Sequence, residues 1–205
     1  MYAVWFVFEK NDVDYFSNII TELSTKYNSP VFTPHITAYG LVDVDLDVLD
    51  KIVTNNIRWE KQFVIEKSNI SYSDVFWKTL FVEFQYNIQL NRINKKLTEA
   101  LERFSKYEFI PHASLIYKKM NQDEQETLVN SICVKDNFKI TGMWIQQFHE
   151  DMDKWKIVRK YDFDEAWYSK KREIITMWNY FDVQSSILLN NFIKNQFLLI
   201  VDFSP

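Results

Sequence analysis

The sequence predicts an α+β fold made of two halves of similar layout. Short β-branched and aromatic runs alternate along the chain with segments whose apolar residues recur every three or four positions, the marks of strand and helix respectively. The tetrad Pro-His-x-Ser/Thr occurs twice, as Pro34-His35-Ile36-Thr37 and Pro111-His112-Ala113-Ser114, once in each half. The repeat is one of organisation and not of residue identity.

Residues 2 to 9 read as the first strand, followed by a helical period at Val13, Phe16, Ile20, Leu23 and Tyr27 that opens at Asn11 or Asp12. Ser29-Pro30 stops that helix. Extended structure returns over Val31 to Leu41, because Pro34 biases Thr33 away from the helical region. Leu46, Leu49, Ile52 and Val53 mark a short helix from near Asp45, and residues 63 to 65 and 76 to 84 read as a strand pair. The clearest helix spans Asn87 to Phe104, with Leu90, Ile93, Leu97, Leu101 and Phe104 on one face. A strand over Phe109 to Tyr117, a short helix over 123 to 131, and two strands, 138 to 148 and 155 to 163, complete the order β-α-β-α-β-β-α-β-α-β-β. This gives one domain over residues 1 to 163. Residues 164 to 205 read as an appended segment, with a helical face at Ile187, Leu188, Phe192, Ile193 and Phe197 and a strand over 198 to 203.

Composition narrows the chemistry. Hydrophobic residues reach 47%, but no apolar run is long enough to cross a bilayer, and the apolar N-terminus lacks a basic leader. The expectation is a cytoplasmic protein with no membrane partner. A net charge of -4 argues against a surface for long duplex nucleic acid, which needs clustered Lys and Arg. Only Gly40 and Gly142 are glycines, so no phosphate-cradling loop or nucleophile elbow is present. Cys133, the single cysteine, reads as a core thiol, and His149, beside Glu150, Asp151 and Asp153, as a solvated loop residue.

The two tetrads carry the chemistry. Residues i and i+2 of a strand share a face, so His35 projects beside Thr37 and His112 beside Ser114. Two such strands around one cleft supply a neutral imidazole to take a proton from water, a protonated one to donate to a leaving oxygen, and hydroxyls for nonbridging phosphate oxygens. For opening of a 2′,3′-cyclic phosphate to the 2′-phosphate, His35 is assigned as the acid and His112 as the base. No carboxylate or thiolate stands at a spacing that completes a metal site, so neither metal nor other cofactor is expected. Trp5, Tyr39, Phe76 and Trp77 are aromatic candidates for contact with a base or ribose. Tyr39 has the best case, since 35, 37 and 39 share a face.

At these tetrads the sequence resembles the two-histidine (2H) phosphoesterase superfamily, defined by paired His-x-Ser/Thr motifs on a bilobal α/β fold. Tyr2-Ala-Val-Trp5, Phe32-Thr-Pro-His-Ile-Thr37, His112-Ala-Ser-Leu-Ile-Tyr117 and the closing Trp144 to Phe148 and Trp155 to Phe163 look most like its plant and yeast cyclic phosphodiesterase branch. The resemblance implies two pseudo-symmetric antiparallel sheet lobes with outer helices around a central cleft. It also implies metal-independent hydrolysis of ADP-ribose 1″,2″-cyclic phosphate or nucleoside 2′,3′-cyclic phosphates. His35 and His112 then map onto catalytic positions, and Thr37, Ser114 and Tyr117 onto phosphate-binding ones. Strict alternation would turn Tyr117 away from His112, so its role requires the strand to twist or end near Ile116. Two alternatives stay open: cleavage of 2′-5′ or other short RNA, for which Lys118 and Lys119 are the local hint, and a non-catalytic nucleotide-binding module.

Overall fold

The computed structural model describes residues 1–164. The helical face and strand expected between 187 and 203 lie outside the described residues. Seven strands and four helices follow the predicted order: β1 (Tyr2–Phe8), α1 (Lys10–Tyr27), β2 (Ile36–Val42), α2 (Leu46–Ile57), β3 (Phe63–Tyr72), β4 (Leu80–Phe84), α3 (Ile88–Leu101), β5 (His112–Ile116), α4 (Gln122–Ser131), β6 (Asn137–Gln147) and β7 (Lys156–Asp162).

Boundaries move where a backbone donor is lost or a cap intervenes. Pro34 and Pro111 have no N–H to give a ladder, and β2 and β5 begin only at Ile36 and His112, not at Val31 and Phe109. Residues 76–78 wind into a 3₁₀ turn instead of opening a strand, and Thr79 Oγ1 accepts from Lys118 N and donates to its carbonyl, fixing the start of β4. Asn87 caps α3 through Gln89 N and Leu90 N, and the helix stops at Leu101, so Phe104 lies beyond it and is exposed. Asp45 caps α2 in the same way, and Asn121 with Glu124 forms a capping box on α4.

All strand pairs are antiparallel, in the order β1-β2-β5-β4-β3-β6-β7, with a further pairing of β1 with β6. The two halves are therefore joined in one continuous ladder. The long β6 makes this possible: residues 137–140 pair with β3, and 142–147 pair with β7 on one side and β1 on the other. Gly142 sits at that crossing because a Cβ there would lie 2.2 Å from the Tyr161 carbonyl oxygen. The helices pack outside, α3 on β2, α1 on β5 and α4 on β3, over a core that includes Phe6, Phe16, Ile36, Leu90, Leu97, Ala113 and Phe138.

One bridge positions the cleft. β2 and β5 meet at Ile36 and Ala113, both fully buried. Extending that antiparallel register by one residue sets His35 across from Ser114 and Thr37 across from His112. All four project to the face opposite the buried pair.

Candidate active site

His35, Thr37, His112, Ser114 and Tyr117 line one cavity of about 280 Å³, at the small end of ligand pockets. Its other walls include Trp5, Trp77, Lys78, Tyr107, Gln146, Phe148 and Trp155.

The two imidazoles are held alike. His35 Nδ1 lies 2.7 Å from the Thr33 carbonyl oxygen, and His112 Nδ1 lies 2.7 Å from that of Ile110. A carbonyl only accepts, so Nδ1 carries the proton in both rings and Nε2 is the free acceptor. The intervening prolines explain the recurrence of Pro-His, since each holds the preceding residue extended and leaves the strand ladder to begin after it.

The environments differ. His35 is buried, and the Trp5 indole stacks on it with ring centroids 3.6 Å apart and planes 9° apart. Burial lowers its pKa from 6.5 to about 4, against the Thr33 hydrogen bond, with His112 adding a smaller downward push. His112 is half-buried, with Phe81 edge-on to its ring. Its pKa is also lowered, first by burial and then by the Lys78 charge, while the Ile110 carbonyl opposes both. Burial thus favours the neutral form of both imidazoles in the free protein.

Ser114 Oγ donates to the Trp77 carbonyl at 2.8 Å. Tyr117 stands just past the last residue of β5, where strand alternation no longer applies, and so turns into the cavity wall. It is buried and stacks on Phe32 at 3.7 Å, and burial pushes its hydroxyl pKa up while the Ser114 hydroxyl works the other way.

Two aromatic expectations are corrected. Tyr39 does not line the cavity: it is fully buried, and its hydroxyl donates to the Ser105 carbonyl at 2.5 Å. The cause is a bulge in β2. Trp5 pairs with Thr37 but Val4 with Tyr39, so one extra residue flips the parity after Thr37, burying Ala38 and Tyr39 together and giving the cleft face to Gly40. Phe76, placed in the 3₁₀ turn, packs beside Ile20, Phe32 and Tyr117 below the cavity, and its neighbour Trp77 lines it. Trp5 lines the cavity as the face against which His35 rests. Lys118, the hint of a basic groove, points away and donates to the Tyr27 carbonyl. Cys133 is exposed, because Ile132 and Val134 take the inward positions around it. His149 is exposed and accepts from Asp151 N at 2.9 Å.

Sequence reasoning missed Lys78, Tyr107, Gln146, Phe148 and Trp155. Gln146 alone had a signal, being a buried amide on a strand whose alternate positions are apolar. Among the described residues no cluster of three His, Cys, Asp or Glu could hold a metal ion, and no helix is long and apolar enough to cross a membrane.

The family model described as "Cyclic phosphodiesterase-like protein" matches residues 1–163. The chain belongs to the cyclic phosphodiesterase-like family. It is a 2H phosphoesterase by family and by fold. The structure of TT0787 of Thermus thermophilus superimposes with a TM-score of 0.59 at 12% identity, covering 80% of this chain and 98% of that one. Escherichia coli LigT complexed with 3′-AMP gives 0.55 at 11%, covering 80% and 97%, and LigT complexed with NADP⁺ gives 0.54 at 10%, covering 80% and 96%. At such identities the likeness is one of fold. No curated protein sequence matches the chain. Membership of the cyclic phosphodiesterase-like family agrees with the 2H resemblance drawn from the two tetrads.

Proposed function

We propose that this protein hydrolyses a small cyclic nucleotide phosphate, ADP-ribose 1″,2″-cyclic phosphate or a nucleoside 2′,3′-cyclic phosphate, to the phosphomonoester, as in the plant and yeast branch. The observation that carries this reading is the convergence of His35 and His112 on one cavity, with no hydrogen bond to either Nε2 among the described residues. The domain responsible is residues 1 to 163, with 164 to 205 appended.

His35, which burial holds neutral, takes a proton from the attacking water through Nε2. As oxygen bonds to phosphorus, the ring P–O bond breaks and its electron pair leaves on the ribose oxygen, which His112 protonates. This proposal exchanges the roles that the sequence reading assigned to the two histidines. The arriving anion raises the pKa of His112 and supplies the charged form. Thr37 and Ser114 donate to the nonbridging oxygens, and the Tyr117 hydroxyl approaches the same group. Trp5 supports His35, whereas Trp77 and Trp155, with centroids 5.7 Å apart, offer apolar wall to a base or ribose. At about 280 Å³ the cavity takes a group of mononucleotide size, the class represented by 3′-AMP in a LigT structure.

The chemistry needs no metal, so turnover should survive EDTA. A panel of cyclic phosphates and short 2′-5′ and 3′-5′ oligonucleotides, resolved by product analysis, tests the substrate class. Turnover of the oligonucleotides alone, or chelator-sensitive turnover restored by a divalent ion, would replace this reading.

A further inference from the structure

We infer that Lys78 is the anion anchor of the cleft, binding the phosphate that the two histidines act on and holding the phosphomonoester after ring opening. The inference rests on the phosphoesterase reading above but concerns a residue outside the two tetrads.

The charge balance of the cavity leads to it. Sixteen of the described residues line the space, and none of these is a carboxylate. Lys78 is the only formally charged side chain among them, since burial keeps both imidazoles toward their neutral forms. An unliganded cleft near neutrality therefore carries one positive charge. A cyclic phosphodiester brings one negative charge, and ring opening creates a monoester that approaches two. In a partly desolvated pocket a single ammonium decides how strongly such a ligand is held.

The placement of Lys78 fits that task. It ends the 3₁₀ turn Phe76–Lys78, and its backbone is pinned twice: its N–H donates to the Val75 carbonyl at 2.8 Å, and its carbonyl accepts from Ser73 Oγ at 2.5 Å. The adjoining Trp77 carbonyl accepts from Ser114 Oγ, so the turn is hydrogen-bonded directly to the second motif. The side chain is not spent elsewhere. Among the described residues Lys78 makes no ion pair, in contrast with Lys67, Lys96, Lys135 and Lys139. Its Nζ lies over the Phe81 ring, 4.3 Å from the centroid, and Phe81 meets His112 edge-on at 5.4 Å. That aromatic seat leaves the ammonium its hydrogen-bond donors while fixing it beside His112, close enough to work against a second positive charge there. An incoming phosphate would pair with the ammonium and at the same time favour protonation of His112.

The test uses the full chain, with inorganic phosphate, a nucleoside 2′-monophosphate and the uncharged nucleoside as probes in calorimetric titration. Lys78→Met should weaken both anions on the order of tenfold, as for loss of a charge-assisted hydrogen bond, and leave the nucleoside unchanged. Lys78→Arg should recover most of the loss and, with unchanged circular dichroism, exclude a folding defect. Raising the ionic strength should weaken anion binding to the wild type more than to Lys78→Met. The inference is overturned if Lys78→Met binds the 2′-monophosphate as tightly as the wild type, if nucleoside binding falls in parallel, or if the wild type binds neither anion. If the wild type turns over no cyclic phosphate while Lys78→Met still loses phosphate binding, the anchor stands and the hydrolytic reading falls.

Discussion

The imidazole of His35 lies flat against the indole of Trp5, with ring centroids 3.6 Å apart and planes 9° apart. With Nδ1 bonded to Thr33, this stack leaves Nε2 as the ring's one open position and strips most of its water. The pKa of about 4 is the electrostatic consequence, and it makes stability depend on pH. An unfolded imidazole titrates near 6.5, so between about 4 and 6.5 the unfolded chain binds more protons than the folded one. The His35 contribution is therefore complete above that window and is lost as pH falls through it, by on the order of 3 kcal/mol. Urea unfolding across the window should show this slope, and His35→Asn should flatten it. An unaltered slope in the variant would place the acid sensitivity elsewhere.

The same groups set the rate profile. In the free enzyme the base must be neutral and the acid charged, which confines kcat/KM to a bell with its acid limb near 4 and its alkaline limb below 6.5. The bound anion stabilises the His112 imidazolium, so the alkaline limb of kcat should lie higher than that of kcat/KM. Initial rates measured across pH separate the two, and a kcat/KM optimum above pH 7 would contradict this assignment of roles.

Replacing either histidine by alanine should lower turnover by on the order of 10² to 10⁴, and the double variant should be barely worse than either single one. The hydroxyls should rank unequally. Ser114 Oγ already donates to the Trp77 carbonyl, so binding phosphate costs it that bond, whereas Thr37 Oγ1 makes no hydrogen bond to the described protein. Thr37→Ala should therefore cost more than Ser114→Ala in steady-state kinetics. Wild-type rates in both folded histidine variants would show that neither imidazole carries the chemistry.

Tyr39 and Tyr117 should divide stability from activity. Tyr39→Phe removes a buried donor to Ser105 and should cost about 1 kcal/mol in urea unfolding with kcat and KM unchanged. Tyr117→Phe removes the hydroxyl at the cavity wall and should lower kcat with a smaller stability change. Impaired catalysis by Tyr39→Phe would mean that the bulge in β2 does not isolate that ring from the site.

Element order and both tetrads were legible because they rest on local signals: apolar period, capping residues, and the i, i+2 parity of a strand. The bulge after Thr37 was not, since it arises from the pairing of β1 with β2 and one extra residue reverses every later face. Tyr117 shows the converse. It could be placed by resemblance but not by parity, because β5 ends at Ile116. Lys78 and Trp155 stayed hidden because each belongs to a short turn brought to the cleft from a distant part of the chain, Trp155 ending the turn that precedes β7. Trp155 is held there by its indole N–H donating to the His149 carbonyl at 2.7 Å, a contact without a sequence pattern.

Gly40 offers the last test, because it ties the bulge to the cavity wall. A Cβ built on it would stand 2.5 Å from Tyr107 Cδ2 and 2.9 Å from Cε2, so even alanine forces that ring to move. Tyr107 cannot yield freely. Its ring is tilted against Tyr39 at 5.4 Å, its hydroxyl donates to the Thr37 carbonyl at 3.3 Å, and its burial pushes the hydroxyl pKa up to about 12. Displacement would break the bond to Thr37 and shift the residue that supplies a phosphate-binding hydroxyl. Gly40→Ala should therefore destabilise by about 1 to 3 kcal/mol, the usual cost of overpacking, and also lower kcat/KM. Tyr107→Ala removes the obstacle, so adding Gly40→Ala to it should cost almost nothing further. A double-mutant cycle read by unfolding and by kinetics measures that coupling, and additive effects would show that the glycine is required for a reason other than Tyr107.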